Sequence, residues 1–96
     1  MKKTVKEPSE FRQNFGDRLR RLRAGTGQTQ EECAAALGVD RSYYAGLETA
    51  ARNTKIDMLP ILAKGFGITV AELFKGVEYC LLGGIRKEER LKPRSD

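Results

Sequence analysis

Glycines followed by helix-capping residues divide the middle of this 96-residue chain into short segments. Gly27, Gly38 and Gly67 each end an apolar-patterned segment, and a Thr or Asp that can cap the next helix follows each of them. Thr29 and Thr69 also stand three residues before a Glu, which is the spacing of a capping box. Because helix signals recur over most of the chain, we predict an all-α fold with a compact five-helix domain.

The first helix is predicted from a Ser9 cap to about Arg23. Its apolar residues recur every three or four positions and form one stripe. The stripe consists of Phe11, Phe15, Leu19 and Leu22. The second helix opens at Thr29, and its predicted inner face carries Cys33, Ala34 and Leu37.

Three shorter helices follow in the prediction. Asp40 caps the third. The fourth begins at a Thr54 cap or, because Pro60 is poorly tolerated inside a helix, nearer Asp57. Thr69 opens the fifth, which is short.

Composition changes at both ends of the chain. Residues 1–8 are polar and are predicted to form a flexible basic arm. Residues 9–76 form the helical domain, and residues 77–96 form a short extension with a charged tail. Within the extension, 77–82 is mostly apolar and is predicted as a short strand or extended segment.

The net charge of +5 suits a polyanionic partner, nucleic acid before membrane, although a merely solvated basic surface has the same charge. Cys33 and Cys80 form no CxxC pair and the chain has no histidine, which argues against a zinc site and against Ser–His or Cys–His catalysis. We therefore expect no enzyme, metal, cofactor or small-molecule ligand. The cysteine usage indicates a reducing, cytoplasmic setting. No apolar run approaches membrane-spanning length.

Residues 29–49 have the pattern of a helix-turn-helix, with 38–40 as the short link. If Tyr44 and Leu47 define the buried direction of the third helix, its opposite face is small and mostly polar. That face carries Ser42, Ala45, Gly46 and Thr49. Small side chains there favour close approach of a large object such as the DNA major groove, which admits one α-helix. The alternative is that neither residue has a role in binding: Gly46 is a neutral substitution and Arg41 is a solvated surface residue.

Residues 15–74 resemble the five-helix domain of the Cro/repressor (Xre-type) family. The matching motifs are Leu22-Arg23, Thr29-Gln30-Glu31-Glu32, Leu37-Gly38-Val39, Leu47-Glu48, Arg52, Leu62-Ala63 and Glu72-Leu73-Phe74. A narrower resemblance is to controller proteins of restriction–modification systems. It is carried by Asp40-Arg41-Ser42-Tyr43, Gly46-Leu47-Glu48 and Arg52-Asn53.

The resemblance implies a role for each matching residue. The base-facing positions are Arg41, Ser42, Tyr43 and Gly46, and the outward face of the third helix adds Ala45 and Thr49. The phosphate-contacting positions are Thr29, Gln30, Arg52, Asn53 and Lys55, with Gln30 also placed to buttress Arg41. Arg23 and Glu48 match positions that form a structural ion pair in the family.

Two departures from the family pattern fall in the loop after the third helix. Ala50 stands where the family usually has a Gly in a left-handed helix cap, so we expect either a strained Ala50 or a different turn. Thr54 replaces a common Pro of the next loop.

The resemblance implies a transcriptional regulator that binds double-stranded DNA in a sequence-specific manner, as a homodimer on a (pseudo)palindromic operator, with recognition helix 41–49 in the major groove. The predicted dimer interface is Ile61, Ile68 and Val70, with 77–82 as a further candidate. Such a protein is expected in the cytoplasm, bacterial or phage-encoded and nucleoid-associated.

Two other functions remain open on the sequence. The chain is alternatively a protein-interaction adaptor or antitoxin-type component with secondary DNA binding, in which 77–82 is the bait. RNA binding is a weaker alternative because Tyr43 is the only candidate for an exposed aromatic platform. Gly25-Thr26-Gly27 resembles half of a dinucleotide-binding motif, but the third Gly and a preceding strand are missing.

Overall fold

The computed structural model describes residues 9–78, and the predicted arm 1–8 and residues 79–96 of the extension lie outside that range. Five helices follow one another: α1 (Glu10–Thr26), α2 (Gln30–Leu37), α3 (Arg41–Glu48), α4 (Met58–Phe66) and α5 (Val70–Leu73). Residues 9–78 contain no strand, and the predicted all-α, five-helix fold is confirmed. None of these helices is both long and apolar enough to cross a membrane.

The helix caps are those that the sequence indicates. The Ser9 hydroxyl accepts a hydrogen bond from the Arg12 N–H at 3.1 Å and begins α1. Both capping boxes are complete, with the Thr29 and Thr69 hydroxyls each accepting from the N–H of the Glu three residues later. Helix α1 runs to Thr26, beyond the predicted end, and stops where Gly27 takes a φ of 76°.

Helix α4 begins at Met58, with Asp57 at the N-cap position, so the later of the two predicted starts is the right one. Thr54 lies outside the helix. Pro60 is the third residue of α4, where a backbone N–H has no partner inside the helix. A proline therefore costs this helix no hydrogen bond.

The core joins all five helices. Its buried residues are Phe15, Leu19, Cys33, Ala34, Tyr44, Leu47, Leu62, Leu73 and Val77. Val77, which the sequence prediction assigned to the extension, is only 1% exposed. The prediction that the domain ends at 76 is therefore corrected: a Val after the Gly76 turn adds one more apolar side chain to a small core. The predicted strand over 77–82 lies largely outside the described residues.

Helices α1 and α3 approach so closely that only a glycine fits between them. A Cβ on Gly16 would lie 2.9 Å from the Leu47 carbonyl oxygen and would collide with the Glu48 carbonyl oxygen. Gly16 is buried at this crossing. The position of α3 is thus set by backbone contact with α1 as well as by side-chain packing.

Candidate nucleic-acid interface

The turn between α2 and α3 is built by two capping residues. Gly38 ends α2 with a φ of 76°, and its N–H donates to carbonyls of the last turn. The Asp40 carboxylate then accepts from the Ser42 N–H at 3.1 Å and from the Ser42 hydroxyl at 2.6 Å. These Ser42 hydrogen bonds, with the nearby backbone N–H groups, hold the pKa of Asp40 below its ordinary value. The start of α3 is therefore firmly fixed.

The first turn of α3 faces outward. Arg41 and Ser42 are exposed and Tyr43 is half-buried. Farther along the same helix, Ala45 is half-buried and Thr49 is exposed, with the Thr49 hydroxyl donating to the Ala45 carbonyl at 3.2 Å. Arg41, Ser42, Tyr43 and Ala45 of α3, with Thr49 at its C-cap, thus all keep exposed surface, and an arginine stands first among them.

Gly46 does not belong to this outer surface. It is buried, and a Cβ there would lie 2.5 Å from the Arg52 Cγ. The Gly46 carbonyl also accepts from the Arg52 N–H at 3.1 Å. The prediction that Gly46 lies open to a base is therefore corrected, because the missing side chain makes room for the aliphatic stem of Arg52.

Arg52 extends the outer surface of α3 from the following loop. Its guanidinium carbon lies 6.0 Å from the centre of the Tyr43 ring, in cation–π arrangement. Arg52 is exposed, and so are Asn53 and Lys55. Arg52 thus lies against α3, and the loop that follows this helix exposes all three of these predicted phosphate-contacting residues.

A buried polar network ties α3 to α1 and α2. The Glu48 carboxylate accepts from Arg23 Nε at 2.7 Å and from a second Arg23 nitrogen at 3.1 Å. It also accepts from the Gln30 amide at 2.9 Å. The predicted Arg23–Glu48 ion pair is present. Gln30, which the sequence prediction directed to phosphate and to Arg41, has its amide on Glu48, because this carboxylate is buried and needs donors.

The network sets the ionisation of its members. Burial by itself raises the pKa of Glu48, but the hydrogen bonds from Arg23 and Gln30, together with the adjacent Tyr44 hydroxyl, outweigh it and hold that pKa below its ordinary value. The hydrogen bond to Glu48 raises the pKa of Arg23. Both groups therefore stay charged over a wider pH range than they would in water, and the pair persists at neutral pH.

Tyr44 and Cys33 lie at the inner edge of this network. The Tyr44 hydroxyl is buried beside Glu48 and Cys33, but no partner among residues 9–78 meets full hydrogen-bond geometry. Burial first, and then these two neighbours, raises the pKa of Tyr44. Cys33 is buried, as predicted, and burial likewise raises the pKa of its thiol.

The loop after α3 is held by a residue that the sequence analysis did not single out. Ala50 has a φ of 66°, so the left-handed cap is present and carries an alanine. Arg12 of α1 donates from Nε to the Ala50 carbonyl at 3.1 Å and from a terminal nitrogen to the Asn53 Oδ1 at 2.6 Å. Of the two expected outcomes at this position, a strained Ala50 or a different turn, the structure has the strained Ala50.

Apolar side chains reach the surface on α4 and α5. Ile61 is 43% exposed and Val70 is 39% exposed, while Ile68 is half-buried. Ile56, which was not predicted as a surface residue, is 76% exposed. No group of three or more His, Cys, Asp or Glu residues within 9–78 is placed to hold a metal ion.

Known proteins share this architecture. The helix-turn-helix domain family matches residues 14–73, which is more than half of the chain. The chain is 37% identical over 71 residues to the control protein C.MunI of a Mycoplasma species, covering 73% of this chain and 96% of that protein.

Solved structures of two restriction–modification controller proteins are similar as well. C.AhdI from Aeromonas hydrophila is 42% identical, with a TM-score of 0.62 over 65% of this chain and 94% of that one. C.Esp1396I is 27% identical, with a TM-score of 0.67 over 78% of this chain and 97% of that one. These relatives are regulators and not enzymes. The chain therefore belongs to the Xre-type (Cro/repressor) helix-turn-helix family of DNA-binding transcription regulators.

Proposed function

We propose that this protein regulates transcription by binding a (pseudo)palindromic operator as a homodimer, with recognition helix 41–49 in the major groove of each half-site. The observation that carries the proposal is the outward-facing first turn of α3, in which Arg41 and Ser42 are exposed. The buried Glu48 network holds the other end of the helix. Helix α3 is thus held at its C-terminal end and exposed at its N-terminal end. This arrangement suits the major groove, where recognition helices contact bases with their first residues.

Arg41 is the proposed guanine reader. A guanidinium fork matches the O6 and N7 acceptors of guanine, which is the commonest specific contact in the major groove. Ser42 and Tyr43 stand beside it in the same turn, and Ala45 and Thr49 continue the surface. The Tyr43 ring, with Arg52 over it, offers an apolar face that a thymine methyl can contact.

The phosphate contacts come from both sides of this helix. On one side is the N-terminus of α2, at Thr29 and Gln30. In this proposal its first N–H groups face a phosphate of the DNA backbone, because the N-terminus of a helix favours an anion. On the other side lie Arg52, Asn53 and Lys55. Gln30 contributes in this scheme through its backbone and by holding Glu48. Contacts of this kind fix register and orientation and carry little sequence information.

The proposed dimer interface is formed by Ile61, Val70 and Ile68. Apolar residues exposed at 43% and 39% in so small a domain gain from being covered by a second copy. A two-fold dimer would present two copies of α3 about one helical turn of DNA apart, which explains a two-fold symmetric operator. Because its relatives include control proteins, we further propose that the operator controls restriction–modification genes. Such a regulator, bacterial or phage-encoded, acts in the cytoplasm in association with the nucleoid.

Two measurements test this function. Selection of bound sites from a random duplex library should return one sequence with two inverted half-sites. Sedimentation at micromolar concentration should show a dimer, and Ile61→Asp should shift it towards monomer and weaken operator binding, whereas the exposed-site control Ile56→Asp should leave the dimer intact. A strict monomer that binds unrelated duplexes and single strands equally well would contradict the proposal and favour an adaptor or RNA-binding role.

A further inference from the structure

Arg12 connects α1 to the loop that follows the recognition helix. Its side chain leaves the first turn of α1 and donates to two acceptors, the Ala50 carbonyl at 3.1 Å and the Asn53 Oδ1 at 2.6 Å. Both acceptors belong to the loop, 38 and 41 residues farther along the chain. One planar guanidinium therefore fixes two points of the loop at once.

The loop needs such a fixed point because Ala50 is in a conformation that alanine disfavours. A φ of 66° brings the Cβ of a residue other than glycine close to the following carbonyl oxygen. Backbone of this kind persists only where its surroundings hold it. Here the Ala50 methyl is buried, its N–H donates to the Leu47 carbonyl at 3.3 Å, and its carbonyl accepts from Arg12.

The contact also orients Asn53. A guanidinium has only donors, so the Asn53 amide must turn its oxygen towards Arg12. Its NH2 group then points away from Arg12, on an exposed residue beside Arg52. An amide NH2 held in this way is a donor for a phosphate oxygen.

We propose that Arg12 is a positioning residue for DNA binding: it holds loop 50–53 so that Asn53 and the neighbouring backbone meet a phosphate, without itself supplying the contact. This inference rests on the proposed function, because it assigns the loop to the DNA backbone. It adds a residue of α1 to an interface otherwise built from α2, α3 and the following loop.

The test compares two variants of α1, each of which removes one positive charge at a different position. Arg12→Gln removes the bridge. Arg21→Gln is the matched control, since Arg21 is nine residues farther on and lies about 180° round the helix. Arg12→Gln should weaken binding to operator and to scrambled duplex about fivefold, and Arg21→Gln much less. Arg12→Lys, which keeps the charge without the fork, should lose nearly as much. Unchanged affinity in Arg12→Gln, or full affinity in Arg12→Lys, would overturn the inference.

A double-mutant cycle with Asn53→Ala separates positioning from direct contact. If Arg12 acts through Asn53, the variant with both Arg12→Gln and Asn53→Ala should bind DNA about as tightly as whichever single variant binds DNA less tightly. Additive losses would mean that Arg12 contacts DNA itself.

Hydrogen exchange of the free protein gives a readout without DNA. The Ala50 and Arg52 amides, whose hydrogen bonds close the loop, should exchange faster in Arg12→Gln than in Arg21→Gln. Unchanged exchange would contradict the inference. If exchange behaves as expected but the wild-type protein prefers no duplex, the proposed function fails and the holding of the loop by Arg12 stands.

Discussion

Arg23 and Glu48 make a two-pronged ion pair, at 2.7 and 3.1 Å, although the Glu48 side chain is only 2% exposed. The pair connects the far end of α1 to the last residue of α3, and the Gln30 amide adds a link to α2. A buried carboxylate that lost these donors would remain desolvated and uncompensated. The pair therefore holds α3 in the fold, a structural role that requires no contact with DNA.

Replacing Arg23 should be costly. Arg23→Met leaves Glu48 buried with two hydrogen bonds fewer, and we expect a loss of about 3 kcal/mol in the free energy of unfolding, measured by urea titration. The control is Arg20→Gln, which breaks the exposed Arg20–Asp17 pair and should cost less than about 1 kcal/mol. Equal losses of unfolding free energy in the two variants would show that the buried pair stabilises the fold no more than the exposed Arg20–Asp17 pair does.

The same network predicts how stability depends on pH. The pKa of Glu48 is lower in the folded protein than its ordinary value of 4.5, so its contribution is present above about pH 4.5 and is lost as the pH falls through the folded-state pKa. Glu48→Gln cannot titrate. We expect the wild type to be the more stable protein at pH 7 and the two unfolding curves to converge on acidification. Asp40 and Glu72, whose pKa values are also lowered, remain in both proteins and cancel in the difference. A gap that is constant with pH would contradict this account.

Two glycines of α1 should respond in opposite directions to the same substitution. Gly16→Ala drives a methyl group into the carbonyls of Leu47 and Glu48 and should destabilise the fold by about 1–3 kcal/mol or more. Gly25→Ala, with nothing within 4 Å of the new Cβ, should stabilise the helix by roughly 0.5–1 kcal/mol. Thermal unfolding of the two variants checks both signs.

Gly46→Ala tests whether this glycine provides space for Arg52. The new methyl group would meet the Arg52 Cγ, a flexible side-chain atom, so the protein should stay folded while Arg52 is displaced from Tyr43. We expect weaker binding to operator and scrambled duplex alike, because a phosphate contact is lost. A loss confined to operator would instead restore Gly46 to the base-facing surface.

Much of the fold was predictable from local chemistry. The caps at Ser9, Thr29, Asp40 and Thr69 act within three residues of themselves, so their positions in the sequence are sufficient to locate the helix starts. The end of α1 was harder, since Gly25 and Thr26 are poor helix formers that continue the helix to the Gly27 cap. Val77 was missed because a single apolar residue after a turn has no periodicity to reveal it.

The interface was predictable where it depends on single helix faces and less so where it depends on contacts between elements. The exposure of Ser42 follows from helical geometry, and that of Arg41 from its place at the start of α3. The packing of Arg52 against Gly46 and the hydrogen bond from Arg12 to Ala50 depend on how the loop after α3 folds back onto α3 and α1. One signal was present: Arg12, Gly16 and Arg23 lie on one face of α1, which is the face that packs against α3.

The most direct test of the central claim compares Arg41→Ala with Lys55→Ala on operator and scrambled duplex over a salt series. If α3 reads bases with its first turn, Arg41→Ala should cost about 1–3 kcal/mol on operator, relax the preference at one base position and affect scrambled duplex much less. Lys55→Ala should weaken both duplexes equally and reduce the salt slope by about one. If Arg41→Ala lowers both affinities equally and leaves base preference unchanged, Arg41 contacts the backbone and α3 does not lie in the major groove as proposed.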